Sequence, residues 1–594
     1  MGQMTKFRGR GCAVVPSILW IVLASALMAA VPPQAKGDDL DASLSPMRAL
    51  VERYATDLKL LERKYPVPMS GERRERLAAY FASWRERLDA VEFERLDRAG
   101  QVDHVLLSYE VARAARELEH EQRRHEEVAP LLPFAPTIVG LEEARRRMDP
   151  LNPSEAATTL AGLTEAIEAA QKHWTERSKH EGGSGIKPTA ANRAARLAES
   201  LQRTLREWYR YYDGYDPLFT WWAAEPYADA ERALQGYARF VRGTLAGVGA
   251  DDGDAIIGDP IGREALIDAL RFEMIRFTPE QLVEIARREH EWCLREMKKA
   301  ANELGHGEDW HAALEHVKTL HVQPGEQPEL IRRQALEAIE FVESRDLLTV
   351  PDLAKEGWRM EMMSPERQKV SPYFLGGESI IVSYPTNAMS HKDKLMSMRG
   401  NNPYFCRAVV HHELIPGHHL QGFMTDRYST HRQLFRTPFW IEGWALYWEM
   451  LLWDLDFAST PEQRIGMLFW RMHRCARIVF SLSFHLEQMT AQQCIDYLIE
   501  NVGHEPIHAE AEVRRSVSGD YGPLYQAAYM LGGLQFRALH KELVASGKMT
   551  NRQFHDAILR LGPIPVEMVR ASLMPDVPLS REFEPSWGFY EGIE

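Results

Sequence analysis

Apolar residues recur at three- and four-residue spacings along most of this chain, among many Ala, Leu, Glu and Arg residues and few β-branched runs. That pattern predicts a mainly α fold. The clearest helix start is Thr278-Pro279-Glu280-Gln281, in which Thr caps, Pro takes the first helical position and Gln281 reaches back. Leu282, Ile285 and Ala286 then face one way, and the helix is expected to run to Gly305. Further helices are expected near 41–64, 73–95, 101–127, 153–178, 190–211 and 227–245. The Gly-rich stretches 180–188 and 247–262 read as surface loops. The helical habit lapses at 358–386, where WRMEMM and ESIIVSYPT are separated by prolines and Gly376-Gly377. These two pieces are expected to form a small antiparallel β element, either a structural hairpin or an edge for an extended peptide.

With 594 residues, the chain has room for one large helical body or two lobes. Three regions are expected: a signal peptide over 1–35, an N-terminal helical lobe over 36–260, and a helical region over 261–594 that carries the chemistry. The signal reading rests on Lys6, Arg8 and Arg10 before an apolar stretch that ends in alanines; an uncleaved anchor is the alternative. No later stretch is long and apolar enough to cross a membrane. The 71 basic and 85 acidic residues are interspersed, for a formal charge of −14, which excludes nucleic acid as a partner. Cys293, Cys406, Cys475 and Cys494 are widely spaced and without a CxxC pair, so they read as buried thiols rather than a disulfide framework.

Chemistry concentrates in HHELIPGHH, His411 to His419, which holds four of the 22 histidines, and in IEGWALYWE, Ile441 to Glu449. Catalytic zinc takes three protein ligands from imidazole and carboxylate and keeps a fourth position open. His412, His418 and Glu442 offer that set for one Zn2+ ion. Six residues advance about 600° on a regular helix, which would put the two histidines on different faces. Pro416 and Gly417 are expected to break the helix and bring His418 round. Glu413, beside the first ligand, is then placed as general base. His411 and His419 read as outer contacts of the metal or of substrate, and Gln421 as a group that orients a ligand. Glu442 sits in an apolar stretch where a carboxylate needs a partner; Glu449, on nearly the same helical face, is an outer-sphere acid or the alternative ligand. His504-Glu505-Pro506-Ile507-His508 is a literal HExxH. There Pro506 fits a first helical turn, so the two histidines should not share a helix face.

HHELIPGHHLQ followed by IEGWALYWE resembles the bacterial proteins grouped as domain of unknown function 885. IGREAL and FTPEQL near 261–282, AEVRRSV at 511–517, PLYQAAYMLG at 523–532 and FHDAILRLGPIPVEMV at 554–569 resemble that family's later blocks. The family is in turn similar to helical gluzincin peptidases such as angiotensin-converting enzyme and thimet oligopeptidase, which implies a deep cleft between helical lobes. Glu442 lies 24 residues after His418, similar to the converting enzyme's spacing. The resemblance further implies that Tyr529 donates to the oxyanion and that Arg515 binds substrate or steadies the site. The chain departs from the family at Ser516-Val517 and Leu524-Tyr525, which weakens the Arg515 assignment most.

These residues together lead to the expectation of an exported, periplasmic or secreted zinc metallopeptidase that hydrolyses oligopeptides, with catalytic Glu413, Tyr529 and Arg515 and metal ligands His412, His418 and Glu442. A zinc hydrolase of a non-peptide amide, or a catalytically silent binding protein of the same fold, are the alternatives.

Overall fold

The computed structural model describes residues 45–179, 184–249, 255–368, 373–519 and 521–592. The N-terminal apolar stretch and its export reading lie outside these residues. Among them are twenty-three α-helices and one two-stranded sheet, a mainly α protein. The periodicity located Arg48–Lys64, Gly71–Asp89, Arg98–Val128, Pro153–Ser178 and Pro188–Tyr212 to within a few residues at most ends. The Thr278 capping box forms as read, opening Pro279–Glu303. Pro217–Phe240 starts ten residues before the expected 227, because the Asp216 side chain caps it and Pro217 takes its first position, and the helix runs on through Pro226.

The small sheet corrects one expectation. β1 (Arg359–Met362) and β2 (Ser379–Val382) pair in parallel, Arg359 opposite Ser379 through Met362 opposite Val382. A parallel pair needs a connection that brings the chain back to the starting end, and the described part of it includes a short helix at Pro365–Gln368; a tight turn would have given the antiparallel pairing. One antiparallel bridge, Leu375 to Ile381, remains beside it.

The apolar positions gather into two cores. The larger unites residues 47–118 with 266–589, and the smaller joins Val67 to residues 128–246. The segment before residue 260 therefore contributes to both. All four cysteines of the described chain are buried and free.

Six helices in the larger core position the histidine cluster: α1 (Pro403–Glu413), α2 (His418–Thr425), α3 (Pro438–Asp454), α4 (Pro461–His485), α5 (Pro506–Val517) and α6 (Tyr525–His540). α4 is buried from Ile465 to His485 despite its arginines. Those charges are met by acids: Arg471 lies 2.7 Å from Glu289, and Arg477 lies 2.7 Å from Glu512. α3 and α6 pack in backbone contact at Gly443 and Gly532, where a Cβ on Gly443 would fall 2.5 Å from the Gly532 Cα.

Candidate metal centre

The break between α1 and α2 makes the site. Asn402 caps α1, accepting from the Tyr404 and Phe405 amides at 3.0 and 3.1 Å, and the helix proceeds regularly to Glu413. Leu414 then leaves helical dihedrals (φ −110°, ψ −107°), the Ile415–Pro416 bond is cis, and α2 restarts at His418. Gly417 doubles back so closely that a Cβ there would lie 1.8 Å from the His412 carbonyl oxygen. The Gly417 amide donates to the His411 carbonyl at 3.0 Å, and the Trp444 indole donates to the Pro416 carbonyl at 2.9 Å. The His412 and His418 rings thereby come to 4.8 Å between centroids, at 89°.

Glu442, from α3, completes a group whose ligand atoms all lie within 4.8 Å of one another, the one such candidate metal site among the described residues. Its Oε2 is 3.5 Å from His412 Nε2 and 3.2 Å from His418 Nε2. The outer nitrogens are occupied: His412 Nδ1 is 2.7 Å from Glu449 Oε1, and His418 Nδ1 is 2.9 Å from Gln421 Oε1. Gln421 is itself held, donating to the Trp440 carbonyl at 3.3 Å. A carboxylate and an amide oxygen only accept, so both imidazoles donate from Nδ1 and face Glu442 with Nε2, which carries a proton in the metal-free pairing and a lone pair when a metal is bound. Glu442 Oε2 is buried and faces only the two Nε2 atoms, so this pocket of three donor atoms is filled either by protons or by a single cation. The donor set, two imidazoles and a carboxylate with outer partners already in place, fits zinc. Glu449 occupies the outer position behind His412.

Electrostatics agree with a centre built for positive charge. Burial pushes the Glu442 carboxyl up, yet the two imidazoles hold it well below the usual range. Burial disfavours charge on His418, but Glu442 overrides it and raises the group to about 9; Glu442 and Glu449 likewise raise His412. Glu413 moves the other way, upward, chiefly by burial, against the pull of both histidines. A carboxyl so placed suits general-base work near neutral pH. Its carboxylate lies against the Gly376-Gly377 turn, where a Cβ on Gly376 would sit 2.1 Å from Glu413 Oε2.

The other sequence candidates separate. His411 is fully buried against Phe457, with neither ring nitrogen hydrogen-bonded, and burial keeps it neutral. His419 joins the carbonyls of Gly377 (3.3 Å) and Ala354 (3.0 Å), tying the glycine turn to the Asp352–Gly357 helix. Tyr529 lies nearly parallel to His412, 6.1 Å between centroids, with Arg474 and Arg477 over its ring at 4.4 and 4.5 Å. Burial raises its phenol to about 12, so it keeps its proton. Arg515 reaches Glu512 at 4.0 Å and stacks on Tyr521 at 4.8 Å, in the network through which Arg477 also holds Glu512. Arg474 and Arg477 lie over the Tyr529 ring, and Arg515 acts on the same phenol from farther off.

Sequence reasoning missed Tyr525, whose hydroxyl donates to Glu442 Oε1, and missed Arg474 and Arg477. Tyr525 sits one helical turn before Tyr529, a spacing that places both on one face. Gly376-Gly377 separates the two β pieces in sequence, with no signal there of its place against Glu413. The literal HExxH stays apart: Glu505 is the extended N-cap of α5 (φ −62°, ψ 139°), and it faces Lys318 and Arg399, each at 3.4 Å. His504 meets His473 at 2.8 Å, and the Tyr373 hydroxyl lies 3.2 Å from both His504 and His508.

A cavity of about 1070 Å3 opens on the centre, lined by His418, Glu442 and the Gly376-Gly377 turn among others. It is large enough for several residues of an extended peptide.

Residues 53–573 match the family described as bacterial protein of unknown function (DUF885). The chain belongs to this family. Among solved structures, a candidate lipoprotein of unknown function from Shewanella oneidensis shares the fold at TM-score 0.65 and 16% identity, over 88% of this chain and 98% of its own. A candidate lipoprotein from Colwellia psychrerythraea does so at TM-score 0.55 and 16% identity, over 89% and 98%. No curated protein matches the chain.

Proposed function

We propose that this member of the family is an exported zinc metallopeptidase that hydrolyses oligopeptides. The observation that carries the reading is the convergence of His412, His418 and Glu442 on one buried point, beside a carboxyl raised by burial. A zinc ion held by these three supplies Lewis acidity, polarising a carbonyl and acidifying water. Glu413 takes the proton of the attacking water and passes it to the leaving amine nitrogen as the C–N bond breaks and a C–O bond forms. Tyr529, protonated across the physiological range, donates to the oxygen that gains charge. Arg474 and Arg477 hold its ring in place. Glu449 and Gln421 fix the tautomers and directions of the two imidazoles.

Export is supported by the basic-then-apolar N-terminal sequence and by the lipoprotein description of both structural neighbours. Among the described residues no helix is long and apolar enough to cross a membrane.

Glu413→Gln tests the reading. Zinc content, measured by elemental analysis, is expected to persist while hydrolysis of a peptide panel falls roughly 10²–10⁴-fold. Full activity in this variant, or a His418→Ala variant that retains stoichiometric zinc, rejects it.

A further inference from the structure

The cavity at the centre adjoins a second one of about 1040 Å3, lined by the Arg98–Val128 and Gly262–Phe272 helices. Three residues line both: Arg436, Pro438 and Tyr525. Tyr525 donates to Glu442, so this shared wall stands beside the proposed zinc ligands.

The charges around the two cavities cancel, with few exceptions. In the second cavity Arg113 meets Glu110 at 2.6 Å, Arg116 meets Asp268 at 2.6 Å and Arg193 meets Asp259 at 2.8 Å. Its remaining arginines other than Arg436 are paired in the same way. In the first cavity Arg359 meets Glu378 at 2.9 Å, and Arg427 donates to the Phe423 carbonyl at 2.7 Å. Arg436 is the single arginine lining either cavity that has no acceptor among the described residues, and it is exposed. Its anionic counterpart is Asp426, exposed in the first cavity and without a cation.

The backbone beneath Arg436 is fixed although its side chain is free. The next residue, Thr437, donates its amide to the Pro563 carbonyl at 3.2 Å, caps α3 through its hydroxyl at 3.1 Å from the Phe439 amide, and bonds Glu273 with that hydroxyl. The guanidinium is thus presented from an ordered turn immediately before the helix that bears Glu442. A planar fork of donors without a protein partner matches an oxyanion bound in two-pronged fashion, and the oxyanion a peptide offers is a carboxylate.

We infer that Arg436 receives a carboxylate of the peptide substrate; the inference rests on the peptidase reading and adds a substrate class to it. The substrates are peptides with a carboxylate close to the scissile bond, drawn to the shared wall by Arg436 and repelled by Asp426, which lines the same cavity. That carboxylate is either the chain's own C-terminus or an acidic side chain.

The experiment uses full-length, zinc-loaded Glu413→Gln protein, in which binding is read without turnover, and titrates three probes calorimetrically. They are acetyl-tetraalanine as the free acid, the same peptide as its C-terminal amide, and that amide with one alanine replaced by glutamate. A carboxylate probe is expected to bind roughly 10–100-fold tighter than the neutral amide, the range for hydrogen bonds to a charged group. Preference for the free acid identifies the terminus, and preference for the glutamyl amide identifies a side chain. Adding R436Q is expected to collapse the ratio toward one, while R436K keeps part of it, which guards against a folding defect. Equal affinities for all three probes, or a ratio that survives R436Q, overturns the inference even if peptides are hydrolysed. A ratio that depends on Arg436 in a protein whose wild type cleaves no peptide upholds carboxylate recognition and removes the peptidase reading instead.

Discussion

Glu449→Gln changes one charge and almost no volume, which makes it the sharpest probe of how the centre is held. Glu449 Oε1 lies 2.7 Å from His412 Nδ1, both groups are buried, and the Arg474 guanidinium lies 4.0 Å from the same oxygen. Glutamine keeps an acceptor for the imidazole N–H, so ring and tautomer stay in place and the loss is electrostatic. Removing an outer partner of a metal-bound histidine typically lowers affinity 10–100-fold, equivalent to about 1.4–2.7 kcal/mol. Here the upper part of that range is expected, because the variant also leaves Arg474 facing a cationic centre with one carboxylate fewer. Glu449→Ala should cost more still, since it strands a buried N–H. The assay is zinc affinity by competition against a chelator of known strength at pH 7, with circular dichroism to verify the fold. Affinities within threefold of wild type in both variants would refute the claim that this carboxylate orients His412.

Two other outcomes follow from the same geometry. With no metal bound, His418 is raised to about 9 and His412 also lies above its ordinary value, so zinc binding at pH 7 should release at least one proton, read by calorimetry in two buffers of different ionisation heat. Because the folded value exceeds the unfolded value of about 6.5, this pairing stabilises the metal-free protein fully below pH 6.5 and is lost as pH rises through 9; zinc uptake without proton release contradicts it. Gly376→Ala would place a Cβ 2.1 Å from Glu413 Oε2, and a carboxylate displaced by about 1 Å should cost roughly 10²-fold in kcat/KM with zinc content unchanged. Undiminished turnover in that variant would show that Glu413 does not act as the base.

Local covalent chemistry was readable from the chain, and tertiary crossings were not. Pro416 lacks an amide hydrogen and Gly417 lacks a Cβ, so a helix ending near Glu413 follows from two side chains alone. Gln421 reads from sequence as a group that orients a ligand, and the structure pairs it with His418, three residues earlier on the restarted helix. The cap at Thr278 is equally local. By contrast, the strand direction at 359–382 depends on the course of the connection, not on the alternation of either strand. Arg474 and Arg477 read as ordinary charges within a helix, and only its burial from every side gives them a role beside Tyr529. Tyr525 marked a departure from the family pattern, and its contact with Glu442 exists because α3 and α6 touch.

That touching carries the final step. Glu442 immediately precedes Gly443, and a Cβ at Gly532 would lie 2.1 Å from the Phe439 carbonyl oxygen, so only glycine lets the two backbones meet. On α6, Tyr525 and Tyr529 precede Gly532 by two helical turns and one. The crossing therefore sets three things at once: how far Glu442 reaches toward the histidines, the bond that Tyr525 makes to it, and the placement of Tyr529 on His412. The other two donors are set independently by the break at Leu414–Gly417. Trp444, on the same helix as Glu442, joins the two devices by donating to the Pro416 carbonyl at 2.9 Å. A centre assembled in this way depends on backbone spacing at two glycine contacts, so the positions that govern its geometry include residues that offer no ligand at all.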